Sequence, residues 1–328
     1  MLEPTLQEDV KQIEDKHSFR HFVNRYSINA LLPPLGLFAI IVIFSILTNM
    51  RIVQSHSINL ILSQVYVLMI ACTGVFMVMT TGGIDFSQGS ILGLASVVVS
   101  YLSFYSIPLA ILAGILVGAC VGAINGFFHV KFRIPSFIVT ICTMYLFRGF
   151  CAYLTTDSPV AAIVSITKYN VTWLKVLLTI LVLVIAYIVF NYTKFGITLK
   201  AIGAGEKGAL FSGVRVELMK FLVFVVAGAV TGFAAFLNVI KVGSITATAG
   251  SQLETQILIA LVLGGLPISG GAKVRFYNIV IGTLIYCILN NGLVMLGYDT
   301  AVQQLIKGII FVIVVALTID RRTGQVIK

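Results

Sequence analysis

The stretch that decides the fold runs from Val78 to Val98 and reads VMTTGGIDFSQGSILGLASVV. Asp85, near its start, is the only charged residue between Arg51 and Lys131. So long a stretch with one charge must fold into several helices, because hydrocarbon offers unpaired backbone groups no partner. Its polar run over 82–90 is unsuited to a lipid-facing helix. We therefore predict a broken or interfacial segment there, facing the protein interior.

The composition excludes a water-soluble protein. Hydrophobic residues make up 59% of the 328 residues and charged residues 10%, against roughly 45–50% and 25% in a typical soluble domain. Mean hydropathy is +1.04. Alternating apolar and polar strands, the pattern of membrane barrels, are absent from the sequence. We predict an all-α integral membrane protein, a multi-pass bundle of helices.

The net charge of +10 is concentrated between the apolar runs. Lys and Arg in such gaps set the orientation of a membrane protein, so no nucleic-acid partner is expected. Ten spans with both termini in the cytoplasm place most of the Lys and Arg on the inner side. Their approximate bounds are 31–49, 58–80, 88–105, 107–129, 134–154, 173–193, 218–240, 255–270, 277–296 and 301–318.

This arrangement divides the chain into a cytoplasmic segment 1–28, a transmembrane domain 29–320 and a cytoplasmic tail 321–328. In the first segment Leu6, Val10 and Ile13 have helical spacing. That spacing suits an amphipathic helix on the inner membrane face, and it suits a solvated helical extension equally well.

Nothing in the sequence predicts catalysis by this chain. The phosphate-binding pattern Gly-x-x-x-x-Gly-Lys-Ser/Thr, the zinc pattern His-Glu-x-x-His and the nucleophile pattern Gly-x-Ser-x-Gly are absent. The five cysteines lie inside apolar runs, and no two have Cys-x-x-Cys spacing, so disulfides and zinc are not expected. We expect a chain that is not an enzyme, with no catalytic residue, no metal and no bound cofactor.

The loop 196–217 has the features of a short helix between two spans. Gly203 and Gly205 predict a turn, and a helix over Glu206–Ser212 follows, with Glu206 in its first turn. Gly213 then suits a C-terminal cap. Such a helix on the cytoplasmic side is a docking surface for another protein, and the alternative is a plain connecting loop.

Five motifs in this order resemble one family, the permease subunits of bacterial ABC importers for simple sugars of the ribose, galactose, xylose and autoinducer-2 group. They cover most of residues 58–320 and read VMTTGGIDFSQGSILGLASVV (78–98), GAINGFFHVKFRIPSFIVTICTMYLFRGF (122–150), AIGAGEKGALFSGV (201–214), ETQILIALVLGG (254–265) and NNGLVMLG (290–297).

The resemblance implies a ten-helix fold similar to that of cobalamin-importer permeases, in the bacterial inner membrane. It implies a second permease, identical or paralogous, a tandem-domain ABC ATPase that uses ATP and Mg²⁺, and an extracytoplasmic binding protein for a small sugar-like substrate. The coupling contact with the ATPase then falls on Gly203, Gly205, Glu206, Lys207, Gly208, Ala209, Leu210, Ser212 and Gly213.

Polar residues inside the predicted spans are candidates for the translocation path, because hydroxyl and amide groups suit a passing sugar. The candidates are Asp85, Asn125, Thr140, Thr143, Asn290, Asn291, Gln303 and Gln304. Their alternative role is hydrogen bonding between helices. For Asp85 we favour a structural role, in which the carboxylate accepts backbone N–H bonds of the broken segment.

Other transporters remain open as alternatives. Permeases for nucleosides or branched-chain amino acids share the general fold that the resemblance implies. A secondary transporter driven by H⁺ or Na⁺ calls for paired carboxylates at the membrane midplane. The sequence offers Asp85, with Glu254 and Asp299 near the outer ends of spans.

Overall fold

The computed structural model describes residues 28–272 and 274–318. The tail 321–328, and the segment 1–28 except its last residue, lie outside the described residues. Twelve α-helices are present in the described part: α1 Ile28–Leu47, α2 Ser55–Thr80, α3 Gln88–Leu102, α4 Ile107–Lys131, α5 Ser136–Leu154, α6 Thr172–Tyr192, α7 Lys194–Ala204, α8 Glu206–Phe211, α9 Val216–Val242, α10 Leu253–Leu263, α11 Tyr277–Met295 and α12 Thr300–Thr318.

Short elements join some of these helices. Two 3₁₀ turns cover Arg51–Val53 and Val164–Tyr169. Two-residue strands, β1 Val160–Ala161 and β2 Ser244–Ile245, pair antiparallel with Val160 opposite Ile245. This pairing ties the segment after α5 to the segment after α9.

In the part of the chain that the structure describes, six helices are long and apolar enough to cross a membrane, namely α2, α4, α5, α6, α9 and α11. Helices α1, α3, α10 and α12 are also apolar; α1 and α12 have 20 and 19 residues, whereas α3 and α10 are shorter, with 15 and 11. Each predicted span overlaps one of these ten helices, but the predicted span 255–270 is wrong in its second half. Helix α10 ends at Leu263, where a run rich in Gly and Pro begins, and Gly265 has a positive φ of 88° that ordinary residues rarely adopt.

Helix α2 forms the centre of the bundle. In its most apolar window 83% of the residues are buried, against 22% in α6. Helices α6, α9, α10 and α11 all lie against α2. A helix that is apolar on every side is expected in such a buried position, whereas α6 presents most of its surface outward.

Helices α4 and α9 approach each other closely through glycines. Cβ atoms added at Gly118 and Gly228 would each overlap the carbonyl of the other residue, and the same holds for Gly114 and Gly232. Between helices in lipid, van der Waals contact and small residues at the interface provide the association. The four-residue spacing of these glycines therefore explains why α4 lies directly on α9.

Two non-helical segments, called the first break and the second break below, each separate a long helix from a short one. The first break, residues 81–87, joins the end of α2 to the start of α3. The second break, residues 243–252, joins the end of α9 to the start of α10. In each case a long helix is followed by a non-helical segment, which in the second break includes β2, and then by a short helix. The broken segment predicted over 82–90 is thus confirmed as irregular backbone up to Ser87.

Candidate translocation and coupling sites

The carboxylate of Asp85 is the centre of a buried hydrogen-bond network in the first break. It accepts bonds from the Ser87 backbone N–H (2.8 Å), the Ser87 hydroxyl (2.6 Å) and Gln88 Nε2 (2.5 Å). Two ion pairs occur among residues 28–272 and 274–318, and neither includes Asp85. The carboxylate is therefore satisfied by uncharged donors, as the structural interpretation of Asp85 requires.

The network extends from the first break to three neighbouring helices. Asn125 of α4 donates from Nδ2 to the Ser87 hydroxyl (2.7 Å), and Thr143 of α5 donates to Asn125 Oδ1 (2.6 Å). On the other side, the Thr231 hydroxyl of α9 donates to Gln88 Oε1. All these side chains are buried, so the bonds fix the start of α3 relative to α4, α5 and α9.

Helix α5 also holds the backbone of the first break. The hydroxyl of Ser136 accepts the Ile84 N–H at 3.0 Å, and that of Thr140 accepts the Phe86 N–H at 3.1 Å. Short helices and broken backbone inside a membrane need such partners. The structure thus brings together four of the predicted path residues, Asp85, Asn125, Thr140 and Thr143.

Several members of this network were not predicted as site residues. Ser87 and Gln88 lie in the polar run that indicated the break, so a signal for them was present. Thr231 of α9 has no comparable signal, because a single Thr in an apolar helix more often bonds its own backbone.

The other four predicted path residues lie elsewhere, on α11 and α12: Asn290, Asn291, Gln303 and Gln304. The Asn291 side chain exchanges two bonds with Gln64 of α2, at 3.0 and 3.2 Å. Asn290 Oδ1 accepts from Lys307 Nζ at 2.9 Å. Gln303 Nε2 donates to a backbone carbonyl, that of Tyr298, and Gln304 is exposed. The hydrogen bonds seen in the described part do not join this group to the Asp85 network.

The loop 196–217 contains the predicted short helix. Helix α8 covers Glu206–Phe211, and Gly213 has a φ of 81°. The N–H of Gly213 bonds the Leu210 carbonyl and the N–H of Val214 bonds the Ala209 carbonyl, which closes the helix end. The predicted turn at Gly203 is wrong, because this residue lies in α7, where an added Cβ would overlap the Thr80 carbonyl.

Most of α8 is open to other molecules. Ala209 is buried with Ile202 and Val216 and anchors the helix, while Phe211 is 89% exposed. Exposure is shared by most of the predicted coupling residues, namely Glu206, Lys207, Gly208, Leu210, Ser212 and Gly213, while Gly203 and Gly205 are half-buried.

Helix α8 and the first break lie on the same side of the bundle. Glu206 of α8 pairs with Lys220 of α9 at 2.6 Å, and both residues line a cleft of about 290 Å³ together with residues 81–84. The Thr80 carbonyl, against which Gly203 packs, accepts the Gly271 N–H at 3.2 Å. The loop helices are thus anchored to the end of α2.

The amine of Lys200 in α7 donates a hydrogen bond to Asn191. Partial burial lowers the pKa of this amine.

Buried polar networks, broken helices and an exposed loop helix are typical of membrane transport proteins. The chain belongs to the family described as branched-chain amino acid transport system / permease component, whose profile matches residues 57–315. It is therefore a permease subunit of the bacterial cytoplasmic membrane and not an enzyme.

Similar proteins carry import permease names. The chain is 34% identical to the ribose import permease RbsC of Bacillus subtilis, covering 88% of this chain and 92% of that protein. It is 30% identical to the autoinducer 2 import system permease LsrC of Photorhabdus luminescens, covering 88% and 89%. It is 29% identical to the D-allose transport system permease AlsC of Escherichia coli, covering 85% and 88%. No solved structure matches the chain.

Proposed function

We propose that this chain is the membrane-spanning permease of an ATP-binding-cassette importer for a monosaccharide or a related small solute. The observation that carries the proposal is the exposed helix α8, anchored beside the first break. ATP-driven import needs a rigid element through which a separate ATPase moves the transmembrane helices. The names of the relatives, which include ribose and D-allose permeases, support the sugar class.

The proposed architecture uses all ten apolar helices as spans, with both termini in the cytoplasm and residues 29–320 as the permease domain. Two of these helices, α3 with 15 residues and α10 with 11, are short, which is acceptable where broken backbone is covered by protein. We propose that these ten helices form a fold similar to that of cobalamin-importer permeases. This topology puts α8 and the first break on the cytoplasmic side.

The proposed partners follow from this arrangement. A second permease, identical or paralogous, completes the path, and a tandem-domain ATPase binds α8 and uses ATP and Mg²⁺. An extracytoplasmic binding protein delivers the solute. The permease itself binds no cofactor in this proposal, because the energy reaches it by contact alone.

Two connections lead from α8 into the bundle. Through Glu206 and Lys220, a displacement of α8 reaches α9, and Thr231 of the same helix bonds Gln88 beside Asp85. Through α7, it reaches the Thr80 carbonyl at the end of α2. Both connections end at the first break, so we assign that segment the role of cytoplasmic gate.

The polar groups of α11 and α12 are the better candidates for walls of the path. Gln304 is exposed and is free to exchange hydrogen bonds with a solute, whereas Thr140 and Thr143 are occupied in holding the first break. We therefore retain all eight predicted path residues in the proposal but divide them into gate residues around Asp85 and wall residues around Gln304.

The replacement of Gly208 by Trp tests the ATPase contact. No atom lies within 4 Å of a Cβ added at Gly208, so the variant is expected to fold and to insert normally. A Trp in a packed interface with the ATPase creates a clash that costs about 3 kcal/mol, roughly a hundredfold in affinity. Co-purification of ATPase subunits with the tagged permease measures the effect. Thr156→Trp, at an exposed position after α5, is the control.

Retention of the ATPase by Gly208→Trp at the level of Thr156→Trp contradicts the docking role of α8. Solute uptake by the permease in the absence of any ATPase contradicts the importer class itself and favours an ion-coupled transporter.

A branched-chain amino acid permease is the second candidate, because the family description names that substrate class. A nucleoside permease is a further alternative within the same fold. Uptake of labelled ribose and labelled leucine by cells with and without the permease separates the candidates. Uptake of leucine, with none of ribose, overturns the proposed sugar class.

A further inference from the structure

The second break ends in an ion pair that the proposed coupling route does not use. Arg148 of α5 lies with Nη2 3.0 Å from Oε1 and 3.2 Å from Oε2 of Glu254, in the first turn of α10. The side chain of Glu254 is 7% exposed and that of Arg148 is 28% exposed. Charged groups among membrane-spanning helices are costly to place there, so a functional role is the default expectation.

The ion pair bridges two groups of helices. Helix α5 lies against α3 and α4, whereas α10 lies mainly against α11, α2 and α12. Beside the pair, the backbones of α3 and the second break touch directly. A Cβ added at Gly89 would overlap both Glu254 Oε2 and the Gly250 carbonyl, and one at Gly250 would overlap the Gly89 carbonyl. At these two glycines the surfaces meet without a side chain from either glycine, so neither glycine has a side chain to repack when the surfaces separate.

The ion pair between Arg148 and Glu254 lacks part of the hydrogen bonding that a structural ion pair normally has. Arg148 uses one nitrogen, Nη2, for both carboxylate oxygens, while its Nε is buried and has no hydrogen-bond partner. A guanidinium normally gives two parallel bonds to a carboxylate. A buried pair offsets its desolvation cost only with excellent geometry and full hydrogen bonding, so this pair is weakly held.

We propose that Arg148 and Glu254 form a gating ion pair, which holds the second break against α3 and opens during transport. The proposal rests on the transport function proposed above. In many transporters, alternating access is a rocking of one group of helices against another. The gating ion pair is placed where such a movement would separate α5 from α10.

Cys151 provides a reporter for this opening. Its side chain is 2% exposed, and its Sγ lies 3.5 Å from the position of a Cβ on Gly93 of α3. It follows Arg148 by one helical turn. The variant Cys72→Ala, Cys120→Ser, Cys142→Ser, Cys287→Ala keeps Cys151 as the one thiol. The purified protein in lipid nanodiscs is treated with a water-soluble maleimide, and the labelling rate is measured.

The test variant combines Arg148→Gln with Glu254→Gln, which removes both charges and keeps polar groups. We expect labelling of Cys151 to become about tenfold faster, the change produced by a shift of about 1.4 kcal/mol toward the open form. The exchange Arg148→Glu with Glu254→Arg restores the pair and is expected to restore protection. Asp157→Asn, at an exposed position, is the control and leaves the rate unchanged.

An unchanged or slower rate in the neutral variant overturns the proposal. If that variant does not reach the membrane, Glu254→Asp, which shortens the carboxylate side chain, is used, with faster labelling expected and an unchanged rate overturning the proposal. Labelling needs no ATPase and no solute. A failure of the gating ion pair therefore shows in this assay, while a failure of the proposed import function shows separately, as absence of ATP-driven uptake.

Discussion

The two breaks follow similar long helices but are held in different ways. In the first break, the Asp85 carboxylate is surrounded by neutral donors from Ser87 and Gln88. In the second, Gly250 touches Gly89 by backbone, and an ion pair joins Arg148 to Glu254 beside it. The first break is thus held by many bonds that depend on one another, and the second by the short β1–β2 pairing, close backbone approach and one pair of charges.

This difference predicts that the first break is rigid and that the contact at the second break can open and close. Neutral hydrogen bonds in a buried network strengthen one another, and loss of one member leaves several groups unsatisfied. An ion pair at the meeting point of two helix groups can instead open as a unit. We therefore expect the first break to move with the helices around it and the second to be the place where helix groups separate.

The largest expected effect comes from filling the backbone contact of the second break. Gly250→Ala places a Cβ against the Gly89 carbonyl, at a residue with a φ of 74°. Overlap and left-handed strain together are expected to cost about 4 kcal/mol. Unfolding of the purified protein by SDS titration measures the loss.

Gly243→Ala is the matched control, since this residue has a φ of 72° and nothing within 4 Å of an added Cβ. It is expected to lose about 1 kcal/mol, from backbone strain alone. Equal losses in the two variants would show that the contact between Gly250 and Gly89 contributes nothing to stability.

Removal of the central acceptor in the first break is expected to have the next largest effect. Asp85→Ala leaves the Ser87 N–H, the Ser87 hydroxyl and Gln88 Nε2 without their acceptor, at a cost of about 3 kcal/mol. The same SDS titration measures it. Asp157→Ala, at an exposed position, serves as the control and is expected to change stability by less than about 0.5 kcal/mol. Stability of Asp85→Ala equal to the control would reject the structural role of the carboxylate.

A double-mutant cycle then tests the charge pair. Glu254→Ala leaves Arg148 without its partner and is expected to cost about 2 kcal/mol, reduced by the partial exposure of Arg148. Adding Arg148→Ala is expected to recover part of that loss, because no unpaired charge remains. In the first break, adding Gln88→Ala to Asp85→Ala is expected to recover less, since both Ser87 donors stay unpaired. If the second substitution recovers the same amount of stability at both breaks, the two breaks are not held in different ways.

The sequence predicts the first break well and the packing around the second poorly. A carboxylate among Gly, Ser and Gln marks the first break locally. The contact of Gly250 with Gly89 joins residues far apart in the chain, and no local sequence pattern predicts it. The predicted span 255–270 extends past the end of α10, although the Gly and Pro residues after Leu263 signal that end. Gly203 was assigned to a turn because its actual role, close approach to Thr80, depends on tertiary packing.

The smallest expected effect concerns the outer edge of the Asp85 network. Thr143→Val removes the bond from the Thr143 hydroxyl to Asn125 Oδ1 (2.6 Å) and is expected to cost about 1 kcal/mol. Thr156→Val removes a hydroxyl bond at an exposed site just after the same helix and is expected to cost less than about 0.5 kcal/mol. If Thr143 holds the gate, the stability of the variant falls and uptake falls with it. If uptake falls while stability equals that of Thr156→Val, Thr143 contacts the solute. Thr143 then belongs with the wall residues and not with the gate residues.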